Sequence, residues 1–415
     1  MTERILVMGA GRSGIAATKL LLKNNFLVEL YDDQKQDKLN YFNKSDLKFN
    51  NKLLTSFGED PKSNYNKIIL SPGISQEHKI IKQAQEKKIK IISEIDCAYE
   101  FLAPTKIIGI TGTNGKSTTT VMIEHILRCA HKKVFACGNL GVALSEIVLE
   151  QESYDFLVLE LSSYQLEITK NLKLDAGIIL NITPDHLDRY ENLNNYEQAK
   201  LAIINLVKPA GICMANKNLK NLITRENIIW FDNNYDILSG LNITGSHNQE
   251  NALAALLVAK NFGIEQEYIN TGLSSYQPLA HRCEFIACKN GINFINDSKG
   301  TTVVAVIKAL SLTKNPVHLL LGGVAKGEDF AALSPEFFSH IAGYYVYGQA
   351  QAQIIKELNT NLATRLNNLE EALNTAYLRA KPGDTILLSP GCASFDQFKD
   401  YAERGNLFRF LVESI

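Results

Sequence analysis

A glycine-rich loop lies between an apolar strand and a helix, and this order constrains the fold more than any other feature. The run Lys106–Ile110 leads into Thr111-Gly-Thr-Asn-Gly-Lys-Ser-Thr118, and a helix is predicted to begin near Lys116. A strand, a glycine loop and a helix in this order make the start of a right-handed crossover onto a parallel neighbour. Further strand-like runs fall at 4–9, 27–31, 67–71, 155–160, 176–181, 210–214, 292–296, 317–321, 343–347 and 384–389. Helical stretches separate them, so the chain reads as α/β, with parallel sheets wound through crossover helices. Breaks at Ala103-Pro104 and Tyr276-Gln277-Pro278 divide it into three α/β domains, 1–103, 104–277 and 278–415. At roughly 150 residues per domain, the length supports two or three.

The loop carries its own chemistry. Gly112 and Gly115 let backbone N–H groups turn inward as an anion nest, and Thr113, Asn114 and Thr118 of the same run are further candidate nucleotide contacts. Lys116 offers a point charge to the β- and γ-phosphates, and Ser117 places a hydroxyl where Mg²⁺ needs an oxygen. Ile110 stands where the strict phosphate-loop pattern has its first glycine. A surface turn with a chance Gly-Lys-Ser is the competing reading, and the flanking strand and helix argue against it. ATP and Mg²⁺ are therefore the expected ligands.

Downstream, Asp155–Glu160 reads as a buried strand ending in an acid, and Glu160 is placed to hold Mg²⁺ beside the loop. His186, in Asn181-Ile-Thr-Pro-Asp-His186, follows another apolar strand and is a candidate ligand, although Mg²⁺ prefers oxygen. Lys200 reads by itself as a surface lysine on a helix. An ammonium cannot ligate a metal, but a carbamate formed by CO₂ on that amine would be an anionic oxygen ligand.

A second glycine motif, Gly9-Ala-Gly11-Arg-Ser-Gly14, also follows a strand and opens a helix, and Asp32-Asp33 ends the next strand. The pattern suits a nucleotide diphosphate on the helix N-terminus, with the acids on ribose hydroxyls. A nicotinamide or flavin cofactor is the obvious occupant. A tight turn that binds nothing is the alternative, and the residues alone leave the nucleotide open.

Composition narrows the classes. Hydrophobic residues make up 45% and charged residues 21%, as in ordinary globular proteins, and the net charge of −1 gives no reason to expect a nucleic-acid or membrane-surface partner. The seven cysteines, at 97, 129, 137, 213, 283, 288 and 392, are odd in number and form no CxxC pair. That pattern fits reduced thiols in a cytoplasmic protein better than a disulfide framework or a zinc site. The opening Met1–Gly14 runs into a strand and a turn rather than a secretory leader, and no apolar run is long enough to span a membrane.

Taken in order, the motifs resemble the Mur ligase family, ATP-dependent amide-forming enzymes of bacterial cell-wall synthesis. The resemblance covers essentially the whole chain. It rests on the loop at 111–118, LELSSYQLE at 159–167, NITPDHLDRY at 181–190, YEQAK at 196–200, GSHNQEN at 245–251 and LAHRCE at 279–284. It continues in NDSKGT at 296–301, LGGVAKGEDF at 321–330 and LLSPGCASFDQFKDYAERG at 387–405, and the last of these with NDSK points to the D-glutamate-adding branch.

The resemblance implies a Rossmann-like UDP-binding domain, a central P-loop ATP-binding domain and a C-terminal Rossmann-like α/β domain that closes for catalysis. It implies a cytoplasmic monomer acting on UDP-N-acetylmuramoyl-L-alanine and D-glutamate. Lys200 would be the carbamylated lysine and would support a second Mg²⁺ with His186, while Glu160 and Ser117 serve the first. Asn251, Arg282 and Asp297 would contact the nucleotide, and Asn139 would lie near the UDP-sugar. Lys299, Thr301, Lys326, Ser394 and Tyr401 would line the D-glutamate pocket. The first glycine motif then faces the uracil nucleotide, making Gly14 and Asp32 substrate contacts. Three positions depart from the family's common residues: Thr302 for Asn, Phe395 for Leu and Tyr401 for Phe. All three bear on the amino-acid side rather than on ATP. A nicotinamide-dependent dehydrogenase would leave the loop and the third domain without a role. A folylpolyglutamate synthase or another Mur ligase would share the ATP site and differ in the acceptor, and a nucleotide-binding switch would need no amino-acid pocket.

Overall fold

A computed structural model describes residues 3–34, 52–61, 64–184, 189–190, 192–232, 246–276, 280–313, 315–325 and 329–415, with the side chains of 246 and 247 excluded. The chain separates into two compact units, Met1–Tyr276 and Gln277–Ile415.

The first unit holds two parallel sheets. One consists of β1 (Arg4–Met8), β2 (Leu27–Asp32), β3 (Leu53–Phe57), β4 (Lys67–Leu70) and β5 (Lys90–Ser93), in the order β3-β2-β1-β4-β5. The other consists of β6 (Lys106–Thr111), β7 (Val134–Gly138), β8 (Phe156–Glu160), β9 (Leu174–Ile179), β10 (Val207–Asn216) and β11 (Ile228–Phe231), in the order β11-β10-β9-β6-β8-β7. The inner strands are apolar along nearly their whole length because crossover helices cover both faces. The helix Lys116–Cys129, for example, packs Met122, Ile123, Ile126 and Leu127 into one core with Ile108, Ile110 and Val158.

Two buried carboxylates on the short helix Glu94–Tyr99 tie these sheets together. Asp96 accepts the backbone N–H groups of Lys170, Asn171 and Leu172 at 2.9, 2.9 and 3.0 Å. Glu94 accepts the N–H of Ser145 at 2.7 Å. Charge-assisted bonds of this kind are about twice as strong as neutral ones. Burial nevertheless pushes the Glu94 carboxyl up to about 7.

The second unit has one mixed sheet of β12 (Glu284–Lys289), β13 (Ile292–Asn296), β14 (Val317–Gly322), β15 (Ile341–Tyr347), β16 (Ala363–Arg365) and β17 (Thr385–Leu388), in the order β12-β13-β17-β14-β15-β16. Only β12 runs antiparallel to its neighbour. It is joined to β13 by Asn290-Gly291, both at positive φ (53° and 77°), as a two-residue hairpin turn requires. Among the described residues no helix is long and apolar enough to cross a membrane.

Candidate active site

The loop after β6 lies at the carboxyl edge of the second sheet, where α/β folds place their ligands. β6 sits between β8 and β9, with Ile110 in register with Glu160 and Thr111 with Ile179. The ends of three adjacent strands therefore meet at the loop. Gly115 caps the helix Lys116–Cys129 at φ 82°, and a Cβ there would collide with the Asn251 side chain. The loop thus needs glycine for both conformation and space. Asn251 is itself buried and accepts a bond from Thr119 Oγ1 at 3.2 Å.

Ser117 Oγ donates to Glu160 Oε2, and Asn139 Nδ2 donates to Glu160 Oε1 at 2.8 Å. A hydroxyl and a carboxylate side by side at the head of the loop form a hard-oxygen pair of the kind Mg²⁺ takes alongside phosphate oxygens. The donor set therefore fits the expected ion. Among the described residues no three His, Cys, Asp or Glu side chains converge on one point, so this pair is only a partial shell. His186 lies outside the described residues. Asn139, expected near the sugar substrate, is also the residue that fixes the orientation of Glu160.

Two lysines converge on one carbonyl. Lys116 Nζ donates to the Gly112 and Thr113 oxygens at 2.8 and 2.9 Å, and Lys200 Nζ donates to the Gly112 oxygen at 2.9 Å. Lys200 is only 2% exposed, which sets aside the surface-lysine reading. Its ammonium lies 4.5 Å from the centre of the Tyr196 ring. The Tyr196 hydroxyl is 3.1 Å from Thr113 Oγ1, so the helix Leu193–Leu201 is braced on the loop at two points.

Asn181 is a further brace that the sequence reading assigned no role. Its Oδ1 accepts the Asn114 N–H at 2.8 Å, and its Nδ2 donates to the Asn114 oxygen at 3.2 Å. Its position just beyond β9, next to the loop strand, was the available signal. Thr118 lies in the first turn of the helix that the loop opens.

The first glycine turn is built differently. Asp32 Oδ2 accepts the Ala10 N–H at 2.7 Å, and its Oδ1 accepts the Gln34 N–H at 3.0 Å. A Cβ on Gly14 would overlap the Gly9 oxygen, so the helix Arg12–Lys23 approaches the turn as closely as glycine allows. Ser71, just after β4, donates to the same Gly9 oxygen at 3.2 Å.

In the second unit the carboxyl edges of β13, β14 and β17 gather around Arg404, a buried arginine the sequence reading did not single out. Its guanidinium donates to Ser298 Oγ and to the backbone oxygens of Gly322, Ser298 and Cys392 at 2.9–3.1 Å. It thereby pins three of the motif segments together. Asp297 accepts from Ser389 Oγ at 2.6 Å and from the Cys283 N–H at 3.1 Å, and burial raises its carboxyl to about 6. Arg282 precedes Cys283 on the same turn.

Lys299 Nζ lies 4.9 Å over the Tyr401 ring, and the Thr301 N–H donates to the Lys299 oxygen at 2.9 Å. Ser394 is buried, whereas Phe395 beside it is 71% exposed. Thr302 caps the helix Val303–Ser311 by accepting the Ala305 N–H, a bond the family's asparagine would make equally well. Lys326 lies outside the described residues.

Three stretches of the chain match known domains. Residues 3–93 match the Mur ligase MurD-like N-terminal domain, 110–229 the Mur ligase middle domain, and 281–392 the Mur ligase glutamate ligase domain. The UDP-N-acetylmuramoylalanine–D-glutamate ligase of Protochlamydia amoebophila is 36% identical, over 99% of this chain and 98% of that one. Two solved structures from Thermotoga maritima share the fold at 16% identity and a TM-score of 0.60. One is the UDP-N-acetylmuramate–alanine ligase, with 100% of both chains covered, and the other is the MurF ligase in complex with ADP, with 100% of this chain and 96% of that one covered.

Proposed function

The chain belongs to the Mur ligase family and is an enzyme that adds D-glutamate in peptidoglycan synthesis; from that premise we propose that it joins D-glutamate to UDP-N-acetylmuramoyl-L-alanine through an acyl phosphate, with ATP as the phosphoryl donor. The lactoyl-alanine carboxylate attacks the γ-phosphorus, and the bond to the ADP oxygen breaks. The D-glutamate amine then attacks the acyl carbon. The tetrahedral intermediate expels phosphate and loses a proton to leave the amide.

Phosphoryl transfer depends mostly on positioning and charge, and the residues around the loop suit that task. Lys116 neutralises charge on the transferring phosphate, and loop N–H groups other than those of Thr113 and Asn114, which Asn181 takes, cradle the phosphates beside Asn251. Ser117 and Glu160 would hold Mg²⁺, which when bound neutralises the phosphate oxygens. Lys200, as a carbamate, would hold a second Mg²⁺ with His186. Gly14, Asp32 and Asn139 contact the UDP-sugar. Lys299, Thr301, Lys326, Ser394 and Tyr401 bind D-glutamate. We assign these roles to domains 1–103, 104–277 and 278–415, acting in the cytoplasm.

The observation that supports this reading most is the placement of Ser117, Glu160, Lys116 and Lys200 around one loop at the carboxyl edge of one sheet. The test is phosphate release with UDP-N-acetylmuramoyl-L-alanine and ATP against a panel of D- and L-amino acids. Release that depends on D-glutamate is expected. Equal release with L-lysine or diaminopimelate would reassign the acceptor. Tight NADH binding without phosphate release would overturn the scheme.

A further inference from the structure

Arg189 is a residue of the first unit whose contacts the scheme above does not use. Its guanidinium stacks 4.0 Å from the centre of the Tyr164 ring. One nitrogen donates to the Pro72 oxygen at 3.1 Å and another to Glu167 Oε2 at 3.3 Å. Glu167 also accepts from Gln76 Nε2 at 3.4 Å and from the Tyr190 hydroxyl. Arg189 and Glu167 are 24% and 16% exposed, so the pair is partly shielded from screening.

These contacts lie on a chain that runs between the two glycine turns. At one end, Ser71 bonds to the Gly9 oxygen, and Pro72 and Gln76 belong to the turn that follows it. At the other end, the Tyr190 ring packs 5.3 Å from Tyr196, whose hydroxyl meets Thr113 and whose face carries Lys200. A cleft of about 380 Å³ opens beside the bridge, lined by Ser75, Gln76, Glu167, Arg189 and Gln198 among others. The two turns are carried by different sheets, so their spacing is set by whatever links the strand ends. The carboxylate bonds of Glu94 and Asp96 fix the sheets at helix Glu94–Tyr99, and Arg189 fixes the 71–76 turn directly to the elements that hold the phosphate loop.

We propose that Arg189 is a positioning residue that clamps the 71–76 turn to Glu167 and the Tyr190–Tyr196 pair, and so sets the distance at which the substrate carboxylate meets the phosphate loop. This rests on the assignment of the first glycine turn to the UDP-sugar and of the second to ATP. A planar, forked and stacking cation is needed, and a lysine cannot supply those three properties together.

The test compares Arg189→Lys and Arg189→Ala with the unaltered enzyme, using Gln76→Ala as a milder break of the same bridge. In Arg189→Lys, kcat/KM for the UDP-sugar should fall about tenfold, as a small misplacement of reactants would produce, while KM for ATP stays within about twofold. Amide hydrogen exchange at residues 71–76 should speed up in both Arg189 variants, whatever the substrate turns out to be. Unchanged kinetics together with unchanged exchange would overturn the clamp. An equal loss of affinity for ATP and UDP-sugar, with a lowered Tm, would also overturn it by showing a general packing role. Faster exchange at 71–76 in a protein whose unaltered form releases no phosphate with this substrate would refute the substrate assignment and leave the clamp standing.

Discussion

The Gly9–Gly14 turn and the Gly112–Thr118 loop each follow the first strand of a parallel sheet and lead into a helix, yet the charges gathered on them are opposite. On the first, the Asp32 carboxylate takes the Ala10 N–H, so one donor of the turn already faces an anion. On the second, Lys116 and Lys200 both reach the Gly112 oxygen, and Glu160 stands back on Ser117. Backbone N–H groups at a helix N-terminus favour any anion. The side chains on the neighbouring strands decide which ligand is accepted. A phosphate at the first turn would meet Asp32 as a like charge, whereas a sugar hydroxyl or a uracil N–H would meet it as a donor. The second turn has Lys116, the cation proposed to meet the triphosphate. On the proposed assignment, similar backbone patterns serve a nucleoside contact in one place and phosphoryl transfer in the other.

The sharpest way to break this contrast is to remove a cation from the loop. Lys116→Ala should lower kcat by about 10³ or more, through loss of a few kcal/mol of charge stabilisation in the transition state. Binding of the UDP-sugar, measured calorimetrically, should be nearly unchanged. Near-normal turnover would refute the loop's role. Lys200→Ala should lose about 10²-fold or more, because Lys200 is buried against the loop and its amine is the proposed site of the carbamate. Partial rescue by formate or acetate would identify the lost group as a carboxylate-like carbamate, and full activity without rescue would exclude a metal role.

The smaller effect belongs to the first turn. Asp32→Asn keeps an acceptor for the Ala10 N–H and removes the charge. KM for the UDP-sugar should rise about tenfold, the usual scale for a lost charged hydrogen bond, while KM for ATP holds. A rise in KM for ATP instead would mean that the two turns are not functionally distinct.

Among the described residues, the sequence marked the eleven inner strands and missed six. The missed strands, β3, β5, β7, β11, β12 and β16, are the two edges of each of the three sheets. Inner parallel strands are covered on both faces and read as unbroken apolar runs such as Phe156–Leu159. Edge strands are short or half-exposed, as in Ala363–Arg365, and merge with their surroundings. The site was legible for a related reason. Loops at the ends of buried strands carry residue types that packing does not explain, so Lys116, Ser117 and Glu160 stood out. Asn181, Tyr196 and Arg404 were not singled out, because their work is done through contacts distant in sequence. Arg404, for example, bonds to Gly322, 82 residues away.

The smallest predicted effect concerns the joint that holds the two turns on one unit. Glu94 is buried with its pKa raised from 4.5 to about 7, so the folded chain holds a proton there that the unfolded chain has already released. Its contribution to stability is complete below about pH 4.5, falls as the pH rises toward 7, and is lost above that. The raised value corresponds to a few kcal/mol at most, at about 1.4 kcal/mol per unit. Glu94→Gln keeps an oxygen for the Ser145 N–H and abolishes the titration. Between pH 5 and pH 8 the unaltered protein should therefore lose a few degrees of Tm more than the variant. Parallel Tm curves for the two proteins would show that Glu94 stays charged when buried.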